Sequence, residues 1–318
     1  MLNPEVAEVS KSDSPAGIVT AMVTPFDREE RIDYGAWQVV IDTLIAAGVD
    51  GLFAAGGQGE FFSLDDEERV AVLSFCRRAV GERVPLYGNV GCITTRASVK
   101  LARVAEAEGV DFLVVITPFY LKPSPEELAA HYIEICRAVR APVLAYNIPE
   151  RTGLDLTPEI VTRVASECEN FVGLKDSSGK LDLAPRFMEA APGRRLSVFM
   201  GRDHMILPAL KLGCAGAVTA CSNVAPRLFV DLYRAFREGN LDEAARLQEL
   251  VNPLRMAFGL HTFPSVIKVA MELAGLPVGP CRKPVGPMPP QARADLSRVM
   301  DRLREGNYLP EARRARPA

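Results

Sequence analysis

Short apolar runs alternate with longer segments of helical periodicity along most of this chain. The runs Ile18–Phe26, Gly51–Ala55, Pro85–Val90, Phe112–Thr117, Val143–Tyr146, Phe171–Lys175, Ser197–Met200 and Gly216–Thr219 read as strands. Helical periodicity falls near residues 35–47, 65–80, 95–109, 125–139, 158–167, 182–191, 203–212 and 225–238. Eight strands that each lead into a helix predict a parallel sheet, and eight uninterrupted units predict a closed (β/α)8 barrel, a TIM barrel, over residues 17–239. Helix starts are marked locally. Ser124-Pro125-Glu126-Glu127 has the form of a capping box with proline at the first helical position, and Thr157-Pro158-Glu159 repeats the cap and proline. Ser63-Leu64-Asp65-Asp66 offers a capping hydroxyl and first-turn acids.

Beyond residue 239 the alternation stops. Asn240, with Glu243 three residues on, predicts a helix start; Pro264 opens a second helix and Gly275 closes it. A connector rich in proline and glycine runs from Leu276 to Pro290. Leu296, Val299, Met300 and Leu303 then mark an amphipathic last helix. Residues 240–306 are therefore expected to form a three-helix appendage on the barrel, with tails at 1–16 and 307–318.

Composition narrows the function. The 318 residues are 48% hydrophobic with a formal net charge of −3, enough apolar material for a barrel core. Acids and bases are interspersed and no basic stripe appears; the short cluster Arg313–Arg316 reads as a frayed tail, so no nucleic-acid partner is expected. The first sixteen residues lack the form of a signal peptide and no stretch is long enough to span a membrane, which predicts a cytoplasmic protein with no membrane partner. Seven cysteines without CxxC spacing read as reduced thiols. His131, His204 and His261 are far apart and match no metal motif, so they read as surface or satisfied structural residues, with no metal expected.

Active sites of such barrels form at the C-terminal ends of the strands. Phe171-Val172-Gly173-Leu174-Lys175 is an apolar run ending in lysine. An ammonium facing the barrel interior is costly to bury, and the neutral amine is a nucleophile toward carbonyl carbon. The other reading is a lysine reaching solvent or pairing with Asp176. The preceding strand ends in Tyr146, either a core tyrosine with its hydroxyl at the rim or a proton relay sharing a substrate with Lys175, since adjacent strands lie about 5 Å apart. Gly56-Gly57-Gln58-Gly59-Glu60 is either a tight turn or a loop whose N–H groups hold a carboxylate or phosphate. It lacks the third glycine of a dinucleotide fingerprint, which excludes a nicotinamide site there; no cofactor is expected. Arg151 either clamps a substrate carboxylate or hydroxyl-bearing tail, or pairs on the surface with Glu150 or Asp155. Phe119-Tyr120 points either into the site or across an interface.

Taken in order and spacing, Gly56-Gly57-Gln58-Gly59-Glu60, Ile116-Thr117-Pro118-Phe119-Tyr120, Tyr146-Asn147-Ile148-Pro149-Glu150-Arg151-Thr152-Gly153, Gly173-Leu174-Lys175-Asp176-Ser177 and Gly216-Ala217-Val218-Thr219 resemble the dihydrodipicolinate synthase/N-acetylneuraminate lyase family. The resemblance runs from about Gly17 to Leu303. It implies a class I lyase with Lys175 as Schiff-base lysine and Tyr146 as proton relay. It implies that the glycine loop (Gly56, Gly57, Gln58, Gly59) binds the carboxylate of a 2-keto acid and that Val218 borders the substrate. Tyr120 is similar to the family tyrosine that reaches a neighbouring subunit's site, and a homotetramer, a dimer of dimers, is expected. Arg151 stands where the synthase branch holds its aldehyde's carboxylate. That branch carries two threonines where this chain has Gly57-Gln58, and the first threonine's hydroxyl links its two tyrosines. Residues 54–64 resemble instead dehydratases of deoxy-keto sugar acids, such as 5-dehydro-4-deoxyglucarate dehydratase, while the segment from Tyr146 to Gly153 is closer to synthases and aldolases. Aldol cleavage or dehydration of a 2-keto-3-deoxy sugar acid is the leading expectation. Condensation of pyruvate with aspartate semialdehyde (4-hydroxy-tetrahydrodipicolinate synthase) is the alternative, and a non-catalytic keto-acid-binding barrel is an alternative of another class.

Overall fold

The computed structural model describes residues 14–191 and 193–310. The cluster Arg313–Arg316 and most of both expected tails lie outside them. Eight parallel strands close into a barrel in sequence order: β1 (Gly17–Ala21), β2 (Gly51–Ala54), β3 (Leu86–Asn89), β4 (Phe112–Ile116), β5 (Val143–Asn147), β6 (Phe171–Asp176), β7 (Ser197–Met200) and β8 (Gly216–Thr219). All strand residues but Val172 are buried. Strands covered on both faces read as continuous apolar runs rather than alternating ones, which is why the pattern was visible. The barrel closes where β1 meets β8, with Gly17 opposite Gly216. A Cβ on Gly216 would lie 1.9 Å from the Gly17 carbonyl oxygen, so the seam needs glycine.

The helices are α1 (Tyr34–Ala46), α2 (Asp66–Val80), α3 (Thr95–Ala107), α4 (Pro125–Arg137), α5 (Pro149–Thr152), α6 (Pro158–Glu167), α7 (Leu183–Met188), α8 (Ile206–Lys211), α9 (Pro226–Arg237), α10 (Leu241–Met256), α11 (Ser265–Leu273) and α12 (Pro290–Glu305). The Ser124–Glu127 capping box and the Thr157 and Asn240 caps form as expected. Gly275 follows the end of α11 with φ +86°.

Several boundaries differ from expectation. β1 stops at Ala21 rather than Phe26: Pro25 has no N–H for a ladder, and Phe26 instead bridges antiparallel to Ile32. Asp65, not Ser63, caps α2, forming a capping box with Glu68, while Ser63 ends a 3-10 turn. The helix expected over 182–191 shrinks to α7, and that over 203–212 begins as a 3-10 turn, Asp203–Met205, before α8. The loop after β5 contains the short helix α5, started by Pro149.

The last three helices pack outside the barrel. Gln248 of α10 ties this layer to β7's exit loop: its Oε1 accepts from Leu207 N at 2.9 Å and its Nε2 donates to Asp203 O at 3.0 Å.

Candidate active site

The ends of β5 and β6 bring the two leading residues together through an irregularity. Val143 pairs with Phe171, but Leu144 pairs with Gly173, so β6 carries one extra residue, Val172, in a bulge. The shift sets Tyr146 opposite Lys175 instead of Leu174. Gly173 permits the crowding on the other side, where a Cβ would lie 2.0 Å from the Ser197 carbonyl oxygen. Lys175 is 7% exposed. Its Nζ sits 4.1 Å from the Tyr146 ring centroid and 5.3 Å from that of Phe53.

Lys175 does not pair with Asp176. The Asp176 carboxylate accepts from Asn147 Nδ2 at 2.9 Å and from Ser178 Oγ at 2.8 Å, and burial pushes its pKa up. The amine is therefore left facing a cavity of about 330 Å³, of a size for a small metabolite. Tyr146, Arg151, Gln58 and Val218 line it too, each anticipated from sequence.

The glycine loop forms one wall. Among the described residues, the N–H groups of Gly57, Gln58 and Gly59 donate to no backbone carbonyl. Successive uncommitted N–H groups are an anion-binding arrangement. Gln58 is buried; its Nε2 donates to the Pro264 carbonyl at 3.1 Å and its Oε1 has no protein partner. A Cβ on Gly57 would lie 3.9 Å from the Tyr146 hydroxyl and 3.7 Å from Phe263 Cζ, so that position has room which this chain leaves open. Gly56 and Gly59 are crowded: a Cβ would come within 2.7 Å of Phe53 Cε1 and 3.0 Å of the Met22 carbonyl oxygen, respectively.

Arg151 makes neither expected ion pair. Glu150 pairs with Arg202 at 3.0 Å and Asp155 with Lys180, while the Arg151 guanidinium lies 4.7 Å from the Phe263 ring centroid. Tyr120 does not reach this cavity; it is 97% exposed with φ +77°, whereas Phe119 turns inward against Phe61. His261, expected to be a surface or structural residue, lines the cavity, with Nδ1 2.8 Å from Ser265 Oγ. His131 is structural: buried, 2.9 Å from Thr95 Oγ1, and held down to about 4 by burial.

Sequence reasoning missed Arg202, Asp203, Arg255, Phe258 and Phe263, all of which line the cavity. Arg202 and Asp203 follow β7 closely, so the strand-end rule was the signal that could have found them. The other three come from the appendage, which carried no local signal. Among the described residues no group of three or more metal-ligating side chains gathers, and no helix is long and apolar enough to cross a membrane.

The sequence model of the Dihydrodipicolinate synthetase family matches residues 14–303. The chain belongs to this family. Among family relatives, the Escherichia coli (strain K12) protein named "Probable 2-dehydro-3-deoxy-D-pentonate aldolase YjhH" is 41% identical over 266 residues, covering 83% of this chain and 88% of its own. The "4-hydroxy-tetrahydrodipicolinate synthase 1" of Halalkalibacterium halodurans is 36% identical over 279 residues, covering 88% and 94%. A solved family structure from E. coli K12, YagE in complex with pyruvate, superposes with a TM-score of 0.88 at 33% identity, covering 91% of this chain and 98% of that one. Family membership makes the protein a class I lyase or synthase.

Proposed function

We propose that this enzyme cleaves or dehydrates a 2-keto-3-deoxy sugar acid through a Schiff base at Lys175. The observation that carries the reading is the β6 bulge that sets Lys175 beside Tyr146, with the amine 4.1 Å from the phenol ring in a cavity and free of an ion pair. The amine attacks the C2 carbonyl, and the carbinolamine loses water to an iminium that acts as an electron sink. For aldol cleavage, a base takes the C4 hydroxyl proton as the C3–C4 bond breaks. The bond's electrons pass into the iminium to give an enamine, which is protonated at C3 and hydrolysed to pyruvate and free lysine. For dehydration, loss of the C3 proton gives the enamine, the C4 hydroxyl is protonated and leaves as water, and hydrolysis of the remaining unsaturated iminium releases the keto acid and free lysine. Tyr146 carries the proton in either course. The N–H groups of Gly57, Gln58 and Gly59 hold the C1 carboxylate and Val218 forms an apolar wall.

The open space at Gly57 supports a substrate bulkier than pyruvate alone beside Tyr146. The aldolase name of the YjhH relative and the pyruvate bound in YagE support the same substrate class. The second reading, synthesis of 4-hydroxy-tetrahydrodipicolinate from pyruvate and aspartate semialdehyde, is favoured by the Arg151 guanidinium in the cavity and the names of several relatives. Assembly as a dimer of dimers, with Tyr120 reaching a neighbouring site, is supported by the exposure of Tyr120, Phe62 and Leu121. Seven free cysteines suit the cytoplasm, where thiols stay reduced.

Borohydride reduction in the presence of pyruvate, followed by peptide mass analysis, tests the shared step. An adduct on Lys175 is expected, lost in Lys175→Ala. Binding of keto acids without an adduct would make the barrel a binding module. Robust turnover of pyruvate with aspartate semialdehyde would favour the synthase.

A further inference from the structure

The lining of the cavity holds more cationic charge than a substrate with one carboxylate uses. Three guanidiniums line it, Arg151, Arg202 and Arg255, against two carboxylates, Glu150 and Asp203. Both carboxylates are engaged. Glu150 accepts from Arg202 Nη2 at 3.0 Å. Asp203 is buried and accepts from the backbone N–H groups of Ala220 and Cys221 at 3.2 and 3.3 Å; it feels the charge of Arg255 only through space. Among the described residues, neither the Arg151 nor the Arg255 guanidinium makes an ion pair or a hydrogen bond; Arg151 and Arg255 bond only through their backbones.

Each of these two guanidiniums lies instead on an aromatic face. Arg151 is 4.7 Å from the Phe263 centroid and Arg255 is 4.5 Å from that of Phe258. Stacking fixes the plane of a guanidinium while leaving its N–H edge free to donate. Two unpaired cations on one cavity repel each other, and an anion entering between them relieves that repulsion. Arg255 comes from the last turn of α10, outside the barrel, and Phe258, Gly259, His261 and Phe263 follow it along the same wall. The appendage thus adds a cation, Arg255, to those that the barrel and its loops bring to the cavity.

We propose that Arg255 binds a second carboxylate at the far end of the substrate, so that the substrate class is a 2-keto-3-deoxy diacid rather than an acid ending in a hydroxymethyl group. The inference rests on the Schiff-base reading of Lys175, which fixes the C1–C2 end of the substrate. With C1 held by the glycine loop and C2 joined to Lys175, the rest of the chain extends into the remaining cavity, whose lining includes Arg255. There a terminal carboxylate receives charge-assisted hydrogen bonds that a neutral hydroxyl does not.

The test uses two six-carbon 2-keto-3-deoxy acids that differ only in C6, carboxylate or hydroxymethyl, with the full-length enzyme. Two quantities are read for each: the concentration giving half-maximal borohydride trapping at Lys175, and kcat/KM. The diacid is expected to be favoured at least tenfold in both, with a preference that shrinks as salt rises. Arg255→Gln is expected to reduce that preference at least tenfold, mainly through KM, and Arg255→Lys to restore part of it. Equal handling of the two acids by the unaltered enzyme overturns the inference and leaves the Schiff base standing; this comparison holds even where a variant fails to fold. A preference that survives Arg255→Gln in a folded variant also overturns it. Failure of every 2-keto acid, pyruvate included, to trap on Lys175 overturns both the Schiff-base reading and the inference.

Discussion

Glu60 and Lys268 form an ion pair at 2.7 Å, with side chains 0% and 2% exposed, that joins the glycine loop after β2 to helix α11 of the appendage. Lys268 Nζ also donates to the Pro280 carbonyl at 2.8 Å and lies 4.3 Å from the Phe26 ring centroid. The other Glu60 oxygen accepts from Arg282 N at 3.1 Å. Burial draws the Lys268 ammonium below the usual lysine range, and the Glu60 carboxylate opposes that shift. Glu60 itself adopts φ +54°, a conformation uncommon outside glycine, so the loop's shape depends on what holds this side chain. The glycine loop is thus pinned from outside the barrel, two residues from Gln58.

Lys268→Met is expected to destabilise the protein by about 3–5 kcal/mol, because it leaves the Glu60 carboxylate buried without its counter-charge. The double variant Glu60→Gln/Lys268→Met is expected to recover part of that loss, since no lone charge remains. Chemical denaturation of the three proteins checks this. A single-variant loss below about 1 kcal/mol would show that water reaches the pair.

Tyr146→Phe keeps the ring beside Lys175 and removes only the hydroxyl. Turnover is expected to fall by roughly 10²–10⁴-fold, the usual contribution of a proton-transfer group. The borohydride adduct on Lys175 is expected to persist with slower formation. Steady-state kinetics and trapping on the same preparation separate the two steps; unchanged kcat would remove Tyr146 from the mechanism.

Gly57→Thr and Gly56→Ala are neighbouring changes with opposite expected costs. The Cβ at position 57 meets nothing closer than 3.7 Å, so stability is expected to stay within about 1 kcal/mol while the hydroxyl fills the space by Tyr146. The Cβ at position 56 lies 2.7 Å from Phe53 and is expected to cost about 1–3 kcal/mol through overpacking. Gly57→Thr is further expected to lower kcat/KM for keto sugar acids relative to pyruvate trapping. Thermal unfolding and a substrate panel read both effects.

His131 contributes a pH dependence to stability. Burial lowers its folded pKa to about 4, below the ordinary value of 6.5. Above pH 6.5 both states are neutral and the histidine has no effect. As pH falls from 6.5 to 4 the unfolded chain takes up a proton that the folded protein refuses, so stability drops, by up to about 3 kcal/mol. Asp176 and Asp203, whose burial raises their pKa values, act in the opposite sense. The His131→Gln difference curve isolates the histidine: its stability relative to wild type is expected to rise as pH falls through that window. A flat difference would show that the ring is protonated in the fold.

The sequence by itself determined the barrel, because buried parallel strands announce themselves as apolar runs and helix caps are local. It also singled out Lys175 and Tyr146 at strand ends and Arg151 in the loop beyond β5, all three of which line the cavity. It did not show β1 ending at Ala21 or Asp65 taking the cap from Ser63, since both depend on a competition between neighbouring hydrogen bonds. Only the tertiary structure decided that Val172 bulges, and with it that Lys175 rather than Leu174 faces Tyr146. One residue of register reverses which side chains point inward, and that register rests on how closely β6 can approach β7 at Gly173. The tertiary structure alone also decided that Arg255, Phe258 and Phe263 close the cavity and that Lys268 holds Glu60. Phe263 meets Arg151 and Lys268 meets Glu60, partners that lie far earlier in the chain and that the local periodicity of these helices and connections does not name.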